Sequence, residues 1–186
     1  MSLEELPQML IDADWAGAER LLAPHAAAPD ANPSLIYNYG KVLFELGRFE
    51  ESVAALTRVV EAAPDHQSGW FELGRAALQV EDFSLSYDAF ATASLLDSSD
   101  ADARRNFARV ALRVGRWEVA REAWEVFEGD PEADIALYRI SAETGAHDTA
   151  SRRARLLSAH PQRAQVIQAL VRVSKGSIPL DLRPPS

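Results

Sequence analysis

The chain has 186 residues, 47% of them hydrophobic and 25% charged, which suits one compact domain or one short repeat array. It has a formal net charge of −9 and no cysteine, so disulfides, thiolate metal sites and a cysteine nucleophile are excluded, and general nucleic-acid binding, which needs Lys and Arg for the phosphates, is not expected. No apolar run approaches the roughly 18 residues of a membrane span, and the acidic start Met1-Ser2-Leu3-Glu4-Glu5 lacks the basic and apolar blocks of a signal peptide, so a cytoplasmic location without a membrane partner is expected.

In chain order, apolar periodicity and turn signals predict helices at 3–12, 15–25, 33–46, 49–62, 67–80, 83–96, 101–114, 117–127, 132–144, 147–159 and 162–175. No segment shows sustained period-2 alternation, so no β-sheet is expected. Gly47 suits a left-handed turn between helices, and Pro64 and Pro161 stop helices between units. The tail 176–186 holds Pro179, Pro184 and Pro185 and reads as extended chain or a linker. Charge is uneven. Residues 1–100 carry 5 basic and 17 acidic groups, and residues 101–186 carry 14 and 11. Arg outnumbers Lys 17 to 2, a bias associated with GC-rich bacterial genomes.

The helices fall into a repeat. Ile36-x-x-Tyr39-Gly40-x-x-Leu43 is followed by Gly47-Arg48-Phe49, Ser52-x-x-x-Leu56 and Pro64. Thirty-four residues on, Trp70-x-x-Leu73-Gly74-x-x-Ala77 is followed by Asp82-Phe83 and Ser86-x-x-x-Phe90. The register runs forward through Phe107-Ala108, Gly115-Arg116-Trp117 and Ala120-x-x-x-Trp124, and back to Asp14-Trp15 and Ala18-x-x-x-Leu22. A last copy is shortened to 30 residues, with Leu137-Tyr138, Gly145, Ala150-x-x-x-Ala154 and Pro161. Small residues at 40, 74 and 108, and at 52, 86 and 120, let paired helices approach closely. Leu56, Phe90 and Trp124 then fill the groove.

This pattern resembles the tetratricopeptide repeat (TPR) family, with its Trp-x2-Leu-Gly-x2-Tyr, Ala-x3-Phe and Pro on a 34-residue period. Residues 67–98 match best, and the resemblance covers about residues 2–160. It implies an all-α, right-handed solenoid of about four to five helix-turn-helix repeats over 1–175. The repeats are expected near 2–30, 33–64, 67–98, 101–130 and 132–160, closed by a capping helix at 162–175. There are departures: Tyr138 stands where a small residue belongs, Ser98 replaces a terminal proline, and Pro7 lies near the expected Gly of the first copy.

Patterns that would carry chemistry are missing. There is no phosphate-cradling glycine loop and no H-E-x-x-H, and His25, His66, His147 and His160 are scattered near helix boundaries, where loop or capping positions are their expected role. Asp97-Ser98-Ser99-Asp100-Ala101-Asp102 lacks the glycine and terminal glutamate of a calcium loop, so Ser99 or Asp100 reads as an N-cap. Trp15, Trp70, Trp117 and Trp124 are expected in the core. No catalytic residue, metal or cofactor is expected.

In TPR solenoids the first helix of each pair lines the groove where partner segments bind. In this chain Lys41, Arg75, Arg109 and Arg139 each follow the small helix-contact position, or Tyr138 in its place, and the resemblance implies a ladder of cations. Tyr37, Phe71 and Arg105 lie one turn before, and Phe44, Leu78 and Leu112 about one turn after. Such a rail, with Arg113 extending it, suits an acidic-hydrophobic peptide bound by forked guanidinium contacts. The competing reading is pairing within each helix, Lys41 with Glu45, Arg139 with Glu143 and Arg75 with Glu72. Arg109 has no acid at those spacings, so residues 101–117 are expected to be the most basic stretch. The two-carboxylate clamp of co-chaperone TPR domains does not fit, because the matching positions hold Tyr37, Lys41, Glu72, Asp102 and Asn106. The expected function is a non-enzymatic scaffold or adaptor that holds a protein or peptide. The alternative is the recruiting arm of a larger enzyme, such as a transferase, continuing beyond Ser186. A homo-oligomer formed through the end helix stays open.

Overall fold

The computed structural model describes residues 2–28 and 30–174; the expected tail 176–186 lies outside them. After a 3-10 turn at Leu3–Glu5, the helices are α1 (Leu6–Ile11), α2 (Trp15–Ala26), α3 (Pro33–Glu45), α4 (Phe49–Ala62), α5 (Gln67–Gln79) and α6 (Phe83–Leu96). They continue as α7 (Ala101–Arg113), α8 (Trp117–Glu125), α9 (Pro131–Thr144), α10 (Thr149–Ala159) and α11 (Arg163–Val173). No strand occurs among the described residues. This is an all-α, TPR-like arrangement of consecutive packed helix pairs. The described residues cluster into two compact units, one ending at Phe107 and the other beginning at Ala108, inside α7. Nearly every helix lies within two residues of its expected span. The first is split between the 3-10 turn and α1, and α8 stops at Glu125, where the chain turns through Gly129 at φ 92°.

Several helix starts carry side-chain caps, which satisfy backbone N–H groups that the first turn leaves unpaired. Asp14 accepts from Gly17 N–H, Asn32 from Ser34 and Asp82 from Leu85. Asp100 accepts from Asp102 and Ala103, so it and not Ser99 caps α7. His66 does the same work for α5, its Nδ1 accepting from Gly69 N–H, while His160 Nδ1 accepts from Gln162 N–H in the turn before α11. The turn inside each pair is left-handed at Ala13, Gly47, Glu81, Gly115 and Gly145, at φ 54°, 74°, 59°, 73° and 67°. Those positions keep the 34-residue interval until the shortened last copy. At Ala13 and Glu81 the register imposes a conformation that favours glycine.

Within a pair the close approach is literal. A Cβ on Gly40 would lie 2.8 Å from Leu56 Cγ, and one on Gly74 would lie 2.9 Å from the Phe90 ring. The small residues of the second helices also tie the pairs together. Ser52 Oγ donates to Gly40 O at 2.7 Å, and Ser86 Oγ to Gly74 O at 2.9 Å. In the next copy Ala120 has no hydroxyl, and the buried Trp124 indole N–H donates to Ala108 O at 3.1 Å instead. Tyr138 breaks the small-residue rule because its ring fills a core bounded by a third helix: Leu156 and Leu157 of α10 and Val166, Ala169 and Leu170 of α11. Of the four tryptophans expected in the core, only Trp124 is fully buried; Trp15, Trp70 and Trp117 are partly exposed. Trp70 explains why, since its indole N–H reaches out to the Pro64 carbonyl in the preceding turn at 2.8 Å.

Candidate partner-binding site

In the first unit, α3 places Tyr37, Lys41 and Phe44 on one face, and α5 places Phe71, Arg75 and Leu78 on one face, by their i, i+4, i+7 spacing. Phe44, Phe71, Arg75 and Leu78 line an open recess of about 370 Å³, completed by Gln79 and by Asp102 and Asn106 from α7. All four of those apolar and cationic residues are half-buried, so their packing is incomplete. Behind them, Phe71 meets the buried Phe90 edge-on at 5.7 Å, which anchors the recess to the close-packed α5–α6 pair. Tyr37 turns toward His66 instead, ring centroids 5.0 Å apart, and carries Lys41 Nζ over its ring at 5.5 Å.

The cations of this unit have partners. Glu72 is buried, and a buried carboxylate needs compensating charge. Arg75 supplies it at 2.7 Å and Lys41 at 3.7 Å. Arg75 also lies over the Phe44 ring, 4.4 Å from its centroid, a cation–π contact between two residues that line the recess. The Arg75–Glu72 pair has the intrahelical spacing expected, whereas the acid beside Lys41 is Glu72 on the next first helix and not Glu45. That contact has a readable offset of 31 residues, one repeat less one helical turn, and Asn106 stands at the same offset from Arg75.

The second unit answers the question of Arg109 differently. Its guanidinium grips Glu132 of α9 in a two-pronged pair, both contacts at 2.7 Å. Intrahelical spacing carries no sign of this. Arg113 is exposed on α7, Arg105 is half-buried on the first-unit part of that helix, and Arg139 is half-buried on α9. The structure therefore brings Phe44, Phe71, Arg75 and Leu78 together. Tyr37 and Lys41 stand beside that recess, and Arg109 and Arg139 lie on the second unit. Glu72, Asp102, Asn106 and Gln79 belong to the recess or its charge balance and were not among the expected site residues.

Among the described residues no group of three or more His, Asp or Glu side chains is arranged to hold a metal ion, and no helix is long and apolar enough to cross a membrane. Residues 37–103 match the family model described as tetratricopeptide repeat. No curated protein matches the chain. Solved structures do. A crystal structure of MamA protein shares 18% identity over 96% of this chain and 95% of its own, with a TM-score of 0.70. Another MamA crystal structure shares 20% over 94% and 96%, with a TM-score of 0.69. MamA 41-end from Desulfovibrio magneticus RS-1 shares 16% over 93% and 91%, with a TM-score of 0.67. At these identities the likeness is one of fold.

Proposed function

We propose that this chain, which carries tetratricopeptide repeats, is a non-enzymatic protein-interaction scaffold that seats a partner segment in the recess between α3, α5 and α7. The observation that carries this reading is the set of half-buried apolar side chains, Phe44, Phe71 and Leu78, that converge on one open recess without filling it. Burying one more apolar side chain against them contributes about 1.5–3 kcal/mol. Asp102, Asn106 and Gln79 supply hydrogen-bonding groups at the rim that fix the orientation of a backbone.

The acidic character expected of the partner is secondary in this reading. Glu72 already compensates Lys41 and Arg75, and Asp102 adds a negative charge to the wall. The favoured occupant is a short segment with an apolar or aromatic anchor, its carboxylate or carbonyl oxygens meeting the outer edge of Arg75.

Selection of a displayed random-peptide library against the full chain tests this. The expected result is a consensus with one or two apolar anchors, bound by the native chain and lost in Leu78→Asp while the helical circular dichroism is retained. Peptides that bind the native chain and Leu78→Asp equally well would place the binding face elsewhere.

A further inference from the structure

A second recess lies wholly within the other unit, between α9 and α11, with a volume of about 260 Å³. Arg139 projects into it from α9. From α11 come Gln165, Gln168 and Arg172, with Gln162 just before the helix. Residues 162, 165, 169 and 172 follow a 3-4-3 spacing, so they form one stripe of α11. It runs beside the apolar stripe that buries Val166 and Leu170. Ile135, Ala136 and Ala169 make the floor apolar.

The charge of this recess is unbalanced. No hydrogen bond or ion pair joins the guanidinium of Arg139 or of Arg172 to another described residue. Glu132 also lines the recess, but both of its carboxylate oxygens are taken by Arg109 at 2.7 Å. Glu143 sits one turn from Arg139 and pulls its affinity for the proton up. Burial and the neighbouring Arg172 charge outweigh that and push it down. A guanidinium stays protonated throughout the physiological range, so two like charges, one half-buried and one exposed, face the same open recess. An anion seated between them relieves their mutual repulsion.

We propose that the recess between α9 and α11 binds one carboxylate, held between the guanidiniums of Arg139 and Arg172 and oriented by the glutamine side chains of α11. Two forks match the oxygens of a single carboxylate. The glutamines can donate to the anion or accept from an amide beside it, and the apolar floor accepts a short methylene arm. The volume suits one acidic side chain or a small free acid and is below that of a drug-sized pocket. The site does not depend on the α3–α5–α7 recess, and its test does not use that recess.

The probes are N-acetylglutamate, the neutral N-acetylglutamine, and an acetylated, amidated tetraglutamate peptide, each titrated into the full chain while the arginine Nε–H resonances are followed by NMR. The expected result is saturable shifts of the Arg139 and Arg172 resonances with N-acetylglutamate and none with N-acetylglutamine. Arg172→Gln, in the exposed last turn of α11, is expected to weaken binding about tenfold or more, the loss of one charge-assisted contact. Arg172→Lys is expected to fall between, because it keeps charge and loses the fork. Binding of tetraglutamate at least about tenfold tighter than N-acetylglutamate, through the same two arginines, assigns the carboxylate to an acidic polypeptide; equal binding assigns it to a small acid. Absence of saturable shifts, equal shifts with the neutral amide, or unchanged affinity in Arg172→Gln would each overturn the proposal.

Discussion

Gly74→Ala is a sharp test of how the first unit is packed. In an ordinary helix interior this change stabilises by about 1 kcal/mol, because alanine is the better helix former. In this chain the new methyl would lie 2.9 Å from three carbons of the Phe90 ring. Carbon–carbon contact is optimal near 3.5–4.0 Å, so the ring must retreat by roughly 0.6 Å or more. Phe90 has no exposed surface and backs onto Phe71 at 5.7 Å, so it has no free direction in which to move. Overpacking of this kind costs about 1–3 kcal/mol. Set against the propensity gain, the net result is a destabilisation of about 0–2 kcal/mol. Urea unfolding of the native chain, Gly74→Ala, Phe90→Leu and the double variant measures both the sign and the coupling. The cycle is expected to show the double variant losing less than the sum of the singles, by about 0.5–3 kcal/mol. A Gly74→Ala chain stabilised by the full propensity gain, or strictly additive variants, would refute the close approach on which the fold account rests.

Glu81→Gly is expected to stabilise by about 1 kcal/mol by relieving the left-handed backbone at φ 59°, read as a raised thermal midpoint; Gly47→Ala, at φ 74°, is expected to lower the midpoint by a similar amount. Ser86→Ala removes the buried bond to Gly74 O and is expected to cost about 0.5–1.5 kcal/mol in the same urea assay. Glu72→Gln is expected to destabilise and also to tighten binding of acidic peptides at low salt, because Lys41 and Arg75 lose their shared anion. Asp148 links Arg152 at 2.6 Å with Arg121 at 3.7 Å. Burial pushes its carboxyl up, but the bond to Arg152 and the nearby charges more than offset that, so it sits below the usual aspartate range. A depressed folded value means that its stabilisation is complete above about pH 4 and is lost as pH falls through the folded value. Asp148→Asn is therefore expected to flatten the acid side of the stability-against-pH curve and leave its shape at neutral pH unchanged.

The helices were legible because each pair repeats a small residue against a large one. Gly40 with Leu56 and Gly74 with Phe90 mark the close approach directly, and their 34-residue interval gives the register. The same register predicts a left-handed turn at 13 and 81, but Ala13 and Glu81 carry no residue signature of it, so composition at those positions hides what periodicity implies. Charge pairing was less legible. Intrahelical spacing found Arg75 with Glu72, whereas Lys41 meets Glu72 and Arg109 meets Glu132 across helices, where rotation and shift of the neighbour decide the partner. Partial exposure of Trp70 was hidden for a similar reason, since its ring packs inward while its N–H must reach a turn carbonyl. The recess itself was half readable: Phe44, Phe71, Arg75 and Leu78 follow from the repeat, and Asp102 and Asn106 follow only once α7 is placed against α5.

The proposed seating of a protein segment in the α3–α5–α7 recess can be trapped covalently. A photo-crosslinking amino acid placed at Phe71, and in a parallel chain at the highly exposed Leu95 of α6, tests it in lysate of the source cells, with cross-linked products identified by mass spectrometry. The expected result is a specific protein partner joined through position 71, absent from position 95, and lost when Leu78→Asp is added. A partner captured through position 95 alone, or one captured at 71 and indifferent to Leu78→Asp, would contradict it.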